Sequence, residues 1–297
     1  MSTLLQPYNE RMMEVLLHIQ RNLDGDLSPE RLSEIACFSV AHFHRTFKGM
    51  IGESLKEHVR RLRLERAAYK LCYTDLSVMD IALDARFESS ETFSRAFKKR
   101  FKVPPSEYRG KSREMISPEG NGKIHYSPEP SVKGFKMDES PLQCEVDIRI
   151  REETRVAFIR HIGSYYDVMK AWDRLCSWGI GLDLLSESTE YLGLCYDDPD
   201  ITPEGKIRYD ACLSCQSEED APADIGFQII PGGKYAVTTY YGAYSGLHDA
   251  YRELYGKWLP SSGYQIKNSL VSFEKYIKTS DDINSDDVVT EIWLGVY

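Results

Sequence analysis

Leu27-Ser-Pro-Glu-Arg-Leu-Ser-Glu-Ile-Ala36 leads to Phe43-His-Arg-Thr-Phe-Lys48, and Leu76-Ser-Val-Met-Asp-Ile-Ala82 leads to Phe93-Ser-Arg-Ala-Phe-Lys98. Both stretches carry F-x-R-x-F-K, so the N-terminal region holds a degenerate repeat. In each copy a serine, Ser28 or Ser77, stands where it can cap a first helix. Pro29 suits a first helical position, and Asp80 completes a capping-box pattern with Ser77. Ser39 and Ser89 stand ahead of the second helix of each pair. Phe43 and Phe47, like Phe93 and Phe97, are four residues apart and face one way, toward a core. The opposite faces are left polar, with Ala41, His44, Arg45 and Lys48 on the first helix and Ser90, Glu91, Ser94, Arg95 and Lys98 on the second. A capped helix with short polar residues and an arginine on its outer face suits insertion into a major groove. One such arginine alone more often only solubilises a surface helix, and it is the repetition that favours duplex DNA.

Between the copies, Ser54 to Cys72 reads as one helix of about 19 residues, roughly 28 Å long at about 1.5 Å per residue. That is somewhat short of the roughly 34 to 36 Å between successive major-groove faces, so one chain reaches both with slight adjustment or DNA bending. Arg60, Arg61, Arg63 and Arg66 lie on this helix as candidates for phosphate contact, some of them directed only to solvent.

At 297 residues the chain has the length of two domains, each able to bury its own core. No run of eighteen apolar residues occurs, and Met1 to Pro7 lacks the basic start and apolar run of a signal peptide, so a cytoplasmic protein without a membrane partner is expected. Seven cysteines are scattered and odd in number, as free thiols are. Cys212 and Cys215 form a lone CxxC inside a strand-like segment, where residues three apart face opposite ways, so neither a metal site nor a cofactor is expected. The net charge of −9 is unevenly shared. Residues 1–112 hold 19 basic against 15 acidic side chains, and the remainder holds 18 against 31, which points to different partners for the two halves.

These patterns give a multidomain chain. An all-α domain over 1–109 carries two helix-turn-helix motifs joined by a long helix. A linker follows over 110–141, rich in proline and without period, and an α+β domain over 142–297. The second domain also repeats. Arg155-Val-Ala-Phe-Ile-Arg-His-Ile-Gly-Ser-Tyr165 aligns with Lys234-Tyr-Ala-Val-Thr-Thr-Tyr-Tyr-Gly-Ala-Tyr244 at a shift of 79 residues, and Tyr209-Asp210-Ala211 falls opposite Thr290-Glu291-Ile292. Two pseudo-symmetric strand-helix-strand copies offer a groove where they meet.

Strand alternation puts Glu274 and Tyr276 on one face of their strand, and Glu291 and Trp293 on one face of theirs. Where those faces line the groove, carboxylates and rings converge, a chemistry suited to a hydrophobic, cationic guest. Tyr209, Tyr241, Tyr244, Trp172 and Trp258 are further pocket candidates, and core packing is the competing reading for each aromatic. The run Asp281-Asp-Ile-Asn-Ser-Asp-Asp287 reads as a solvated hairpin loop.

The N-terminal repeat, followed by Phe101-Lys-Val-Pro-Pro-Ser-Glu-Tyr-Arg109, resembles the DNA-binding domain of the AraC/XylS family over about residues 8 to 109. Arg86 stands where many members have glycine. The resemblance implies that Arg45 and Arg95 contact or approach bases, with Ala41, His44, Ser90, Glu91 and Ser94 setting preference. Tyr209-Asp210-Ala211, Gly233-Lys-Tyr-Ala-Val237, Gly242-Ala-Tyr244, Trp258-Leu-Pro260, Phe273-Glu-Lys-Tyr276 and Glu291-Ile-Trp293 resemble the GyrI-like effector domain over roughly 142 to 297. Glu291 is favoured as the ligand carboxylate because resemblance and strand parity agree on it. Together the halves resemble a Rob-type transcription regulator. That implies double-stranded DNA, a small lipophilic, cationic effector, and RNA polymerase as partners, and no enzyme activity. Two alternatives stay open: a xenobiotic-hydrolysing GyrI-like enzyme, in which Glu274 or Glu291 assists attack, and a protein-binding antagonist.

Overall fold

The computed structural model describes residues 7–109, 125–132, 142–197, 202–216, 221–267, 269–279 and 287–297. The chain divides into two compact units. Among the described residues no helix is long and apolar enough to cross a membrane.

Residues 7–109 are helical: α1 (Tyr8–Arg21), α2 (Pro29–Ala36), α3 (Val40–Ile51), α4 (Leu55–Tyr73), α5 (Val78–Asp84), α6 (Ser90–Phe101) and α7 (Pro105–Arg109). Serine starts helix after helix. Ser28 accepts from the Arg31 amide, Ser77 from Asp80 and Ser89 from Thr92, each satisfying a backbone donor that the first turn leaves open. Ser54 forms a full capping box with Glu57. Phe43, Phe47, Phe93 and Phe97 are all fully buried. Phe93 and Phe97 pack with Leu64, Ala67, Leu71, Ile81 and Tyr108 in one core that locks α5 and α6 against the long helix α4.

The two helix-turn-helix turns close alike. After α2, Cys37 takes the left-handed conformation (φ 54°) and the Phe38 amide donates to Ser33 O at 2.9 Å. After α5, Arg86 does the same (φ 61°) and the Phe87 amide donates to Ala82 O at 3.0 Å. This is the closure that glycine favours at a helix C-terminus. Arg86 keeps the turn although it is not glycine, and its guanidinium donates to Asp24 O at 2.7 Å. Cys37 is exposed and carries the left-handed backbone with an ordinary side chain. Cys37→Gly is therefore expected to stabilise the chain by about 0.5 to 1 kcal/mol, the relief of a left-handed β-carbon less the entropy glycine adds to the unfolded state. A rise in urea midpoint checks this, and an unchanged or lower midpoint refutes it.

The arginines of α4 are mostly not available to phosphates. Arg61 pairs with Glu53 and Glu65. Arg63 donates to Leu23 O at 2.8 Å, and Arg66 clasps Asp24 and reaches Asp84. Arg60 lies 5.7 Å over the Phe87 ring. For Arg61, Arg63 and Arg66 the expected phosphate contacts give way to cross-links within the unit, because a nearby fixed carboxylate or carbonyl satisfies the guanidinium; Arg60 stays exposed. Residues 125–132, expected as linker without structure of its own, are also tied down. His125 Nδ1 lies 3.1 Å from Glu65 Oε1, the Tyr126 amide donates to Glu65 at 3.0 Å, and Ser131 exchanges two hydrogen bonds with the Gln20 amide group. The rest of the predicted linker, 110–124 and 133–141, lies outside the described residues, as do 281–286 of the acidic run.

The second unit is an eight-stranded sheet with helices. Its strands are β1 (Val146–Arg151), β2 (Thr154–Ile162), β3 (Tyr191–Cys195), β4 (Arg208–Ser214), β5 (Gly226–Ile230), β6 (Gly233–Tyr241), β7 (Phe273–Lys278) and β8 (Val289–Gly295). The helices are α8 (Met169–Gly181), α9 (Leu247–Glu253) and the short α10 (Leu259–Ser262), the last two joined by a wider turn over Leu254–Trp258. Strand order is β1-β6-β8-β7-β3-β4-β2-β5, antiparallel throughout. The internal repeat is visible in this order. β2 and β6 span positions 79 apart, and the turn glycines that follow, Gly163 (φ 148°) and Gly242 (φ 135°), donate to Ile207 O and Val288 O respectively. The first strand of each copy pairs with the other copy, β1 with β6 and β5 with β2, so the halves are interlocked. At the centre β3 pairs with β7 and Gly193 faces Glu274. The pseudo-twofold axis relating the copies therefore passes between these two residues.

Candidate ligand site and nucleic-acid interface

The sheet has two unlike faces. On one side Ala157, Tyr209, Ala211 and Leu213 pack under Ala171, Leu175 and Trp178 of α8. On the other, Val156, Leu192, Leu194, Tyr235, Phe273 and Trp293 form a separate core. Residues directly opposite in neighbouring strands share a face, and β7 and β8 pair Lys275 with Glu291, Glu274 with Ile292 and Phe273 with Trp293. Glu274 and Tyr276 thus point to the helical side, while Glu291 and Trp293 point to the other.

A cavity on the helical side is lined by Tyr165, Trp172, Tyr191, Tyr244 and Tyr251 around Tyr209, Glu274 and Tyr276. Glu274 is buried. Tyr276 Oη donates to its Oε2 at 2.7 Å and Tyr251 Oη to its Oε1 at 3.2 Å, with Cys195 Sγ 3.6 Å away. Burial pushes the Glu274 carboxyl up from its ordinary range, and the donors from Tyr276, Tyr251 and Cys195 pull it back. Burial also raises the Tyr209, Tyr251 and Tyr276 phenols well above their usual value, so they remain neutral donors. Ring edges complete the walls: Trp172 and Tyr244 each meet Tyr276 nearly perpendicularly, at 5.5 and 5.8 Å between centroids. A cation held there meets a carboxylate and several ring faces at once.

Gly193 makes the arrangement possible. A β-carbon at this position would fall 2.6 Å from the Tyr209 hydroxyl and closer still to that of Tyr276. Gly193→Ala is expected to displace both hydroxyls, destabilising the chain by about 1 to 3 kcal/mol and weakening ligand binding. Urea unfolding with and without ligand checks it, and wild-type values in both would refute the steric account.

Of the pocket residues expected from sequence, Glu274, Tyr276, Tyr209, Trp172 and Tyr244 meet in this cavity. Four do not join them. Glu291 is held by Arg149 Nη1 at 2.7 Å and by Trp293 Nε1 at 3.0 Å. Trp293 stacks on Phe273 at 5.5 Å in the opposite core. Tyr241, at the end of β6, is 72% exposed, and Trp258 stacks on Tyr264 at 5.9 Å. The convergence expected of both carboxylates fails because the register between β7 and β8 sets them on opposite faces. Sequence reasoning passed over Tyr165, Tyr251 and Gly193. The first occupies the position 79 residues before Tyr244, which was the available signal.

In the helical unit, α6 carries Glu91, Arg95 and Lys98 exposed, with Ser90 and Ser94 half-buried beside them. On α3, Ala41, Arg45 and Lys48 lie on the side away from Phe43 and Phe47, by helical geometry. His44, about 100° round from Phe43 and so on the flank, is buried rather than open.

Residues 145–296 match the family described as a GyrI-like small molecule binding domain, and residues 32–111 match a helix-turn-helix domain. The transcriptional regulator Rob of Salmonella typhimurium is 25% identical over 283 residues, spanning 92% of each chain. An uncharacterized HTH-type transcriptional regulator of Bacillus subtilis, YbfP, is 34% identical over 142 residues, 48% of this chain and 47% of its own. The multiple antibiotic resistance protein MarA of Salmonella typhimurium is 36% identical over 107 residues, 34% of this chain and 84% of its own.

Proposed function

Because the chain belongs to the AraC-type helix-turn-helix transcription regulators that carry a GyrI-like small-molecule-binding domain, we propose that it reads DNA with α3 and α6 and takes a lipophilic cation at Glu274 as its effector. The observation that carries the ligand class is one buried carboxylate, supplied with hydroxyl donors and walled by aromatic rings. A flat or globular aromatic cation pairs with that carboxylate and with the ring faces at once. On the DNA side Arg45 and Arg95 meet base edges. Ala41, Ser90, Glu91 and Ser94 set preference, and Lys48 and Lys98 lie nearer the phosphates. The long helix contributes mostly spacing, its arginines being engaged within the unit. RNA polymerase is the further macromolecular partner we propose at the promoter.

The test is binding of the full chain to promoter fragments at two salt concentrations, with and without a panel of aromatic cations. Sequence-specific, salt-sensitive binding whose affinity or transcriptional output shifts with a cation supports the reading. Indifference to every cation removes the effector, and equal affinity for all DNA removes the operator. We assign the pocket to binding rather than turnover, so a bound compound should be recovered chemically unchanged.

A further inference from the structure

Trp172 lies on α8, three hydrogen bonds away from the carboxylate. Its indole Nε1 is 3.0 Å from Tyr209 Oη, Tyr209 Oη is 2.8 Å from Tyr276 Oη, and Tyr276 Oη is 2.7 Å from Glu274 Oε2. The two ends of this chain are chemically unlike. An indole N–H can only donate, and an ionised carboxylate can only accept. With the single Tyr276 proton committed to Glu274, the proton between the two tyrosines must come from Tyr209, which in turn accepts from Trp172. Every hydroxyl in the series therefore points the same way, and each bond polarises the next. Tyr251 and Cys195 approach the other carboxylate oxygen and are not part of the series.

We infer that Trp172 and Tyr209 are positioning residues for the effector, fixing the direction of a hydrogen-bond relay that runs through Tyr276 to Glu274 and so setting the affinity of that carboxylate for a cation. The relay rests on the cation reading above and adds a property that contact with the ligand alone does not give. The Trp172 N–H reaches Glu274 only through Tyr209, so that donor is worthless once the middle hydrogen bond is cut, whatever its ring does against Tyr276. The relay also crosses the pseudo-twofold axis, since α8 and β4 belong to one copy and β7 to the other.

The experiment is a double-mutant cycle on the full chain, with tetraphenylphosphonium as the cationic probe and triphenylphosphine oxide as a neutral one, both by titration calorimetry. Trp172→Phe and Tyr209→Phe each keep an aromatic wall while removing one donor. Each is expected to weaken the cation about 5-fold more than it weakens the neutral probe, the worth of one such hydrogen bond, because any change in the wall itself is felt by both probes. The double variant should bind the cation no more weakly than Tyr209→Phe alone. Multiplying losses, or equal losses for the neutral probe, would show two independent wall contacts and overturn the relay. Should Trp172→Phe fold poorly, the same non-additivity is expected between Tyr209→Phe and Tyr276→Phe. A wild-type chain that binds no tetraphenylphosphonium overturns the cation reading and the relay with it. Binding with multiplicative losses overturns the relay alone.

Discussion

Glu274→Gln is expected to lower the affinity for a permanent aromatic cation by about 100-fold, the largest loss of any single change in the second unit. The substitution keeps shape and leaves an amide oxygen to accept from Tyr276, so the walls remain. What disappears is a desolvated charge, and removing one partner of a buried charge pair typically costs about 2 to 5 kcal/mol. Because ligand-free burial of the carboxylate is itself unfavourable, the thermal midpoint without ligand should hold or rise. Glu291→Gln supplies the contrast. Its carboxylate is held by Arg149 and Trp293 on the far side of the sheet, and the cation affinity should stay within about twofold of wild type. Equal losses in the two variants would mean that the site is not at Glu274.

Arg95→Ala is expected to cost about 1 to 3 kcal/mol in binding to the operator, with a smaller change on unrelated duplex. Arg95 is exposed on the outer face of α6, whose start is fixed by the Ser89 cap and whose inner face is anchored by Phe93 and Phe97. The side chain is thus presented from a rigid base, which is what a bidentate contact to a guanine edge requires. Arg45→Ala, on the corresponding helix α3, is expected to behave alike. Fluorescence anisotropy on specific and scrambled fragments at fixed salt separates the outcomes. A loss shared equally by both fragments would identify a phosphate contact, and no loss in either variant would remove the base-reading assignment.

The helical unit was largely legible in the sequence because its determinants are local. Serine caps, phenylalanine pairs four apart and a repeated spacing act within a dozen residues, and they mark out the pairs α2–α3 and α5–α6 with the long α4 between them. The roles of the α4 arginines were not legible. Arg63 and Arg66 meet Leu23 and Asp24, some forty positions earlier, and no periodicity encodes such a pairing. The same limit explains the misplaced carboxylate. Parity within a strand told correctly that Glu274 travels with Tyr276 and Glu291 with Trp293. Which of the two faces meets the helices depends on the register between β7 and β8, and a one-residue shift exchanges them. Gly193 escaped notice for a related reason, since its meaning lies in two hydroxyls contributed by β4 and β7.

The meeting of Gly193 and Glu274 on the pseudo-twofold axis has a consequence for how the duplicated unit divides its labour. A site set to one side of such an axis would exist twice, once in each copy. A seat placed on the axis exists once, and only one of the two equivalent positions can fill it with a side chain. The copies have therefore ceased to be interchangeable: one supplies the charge and the other supplies the vacancy that admits it. Transplanting either half into the other's place would yield two charges in collision or two empty positions, so the symmetry is kept in the backbone and broken in the chemistry.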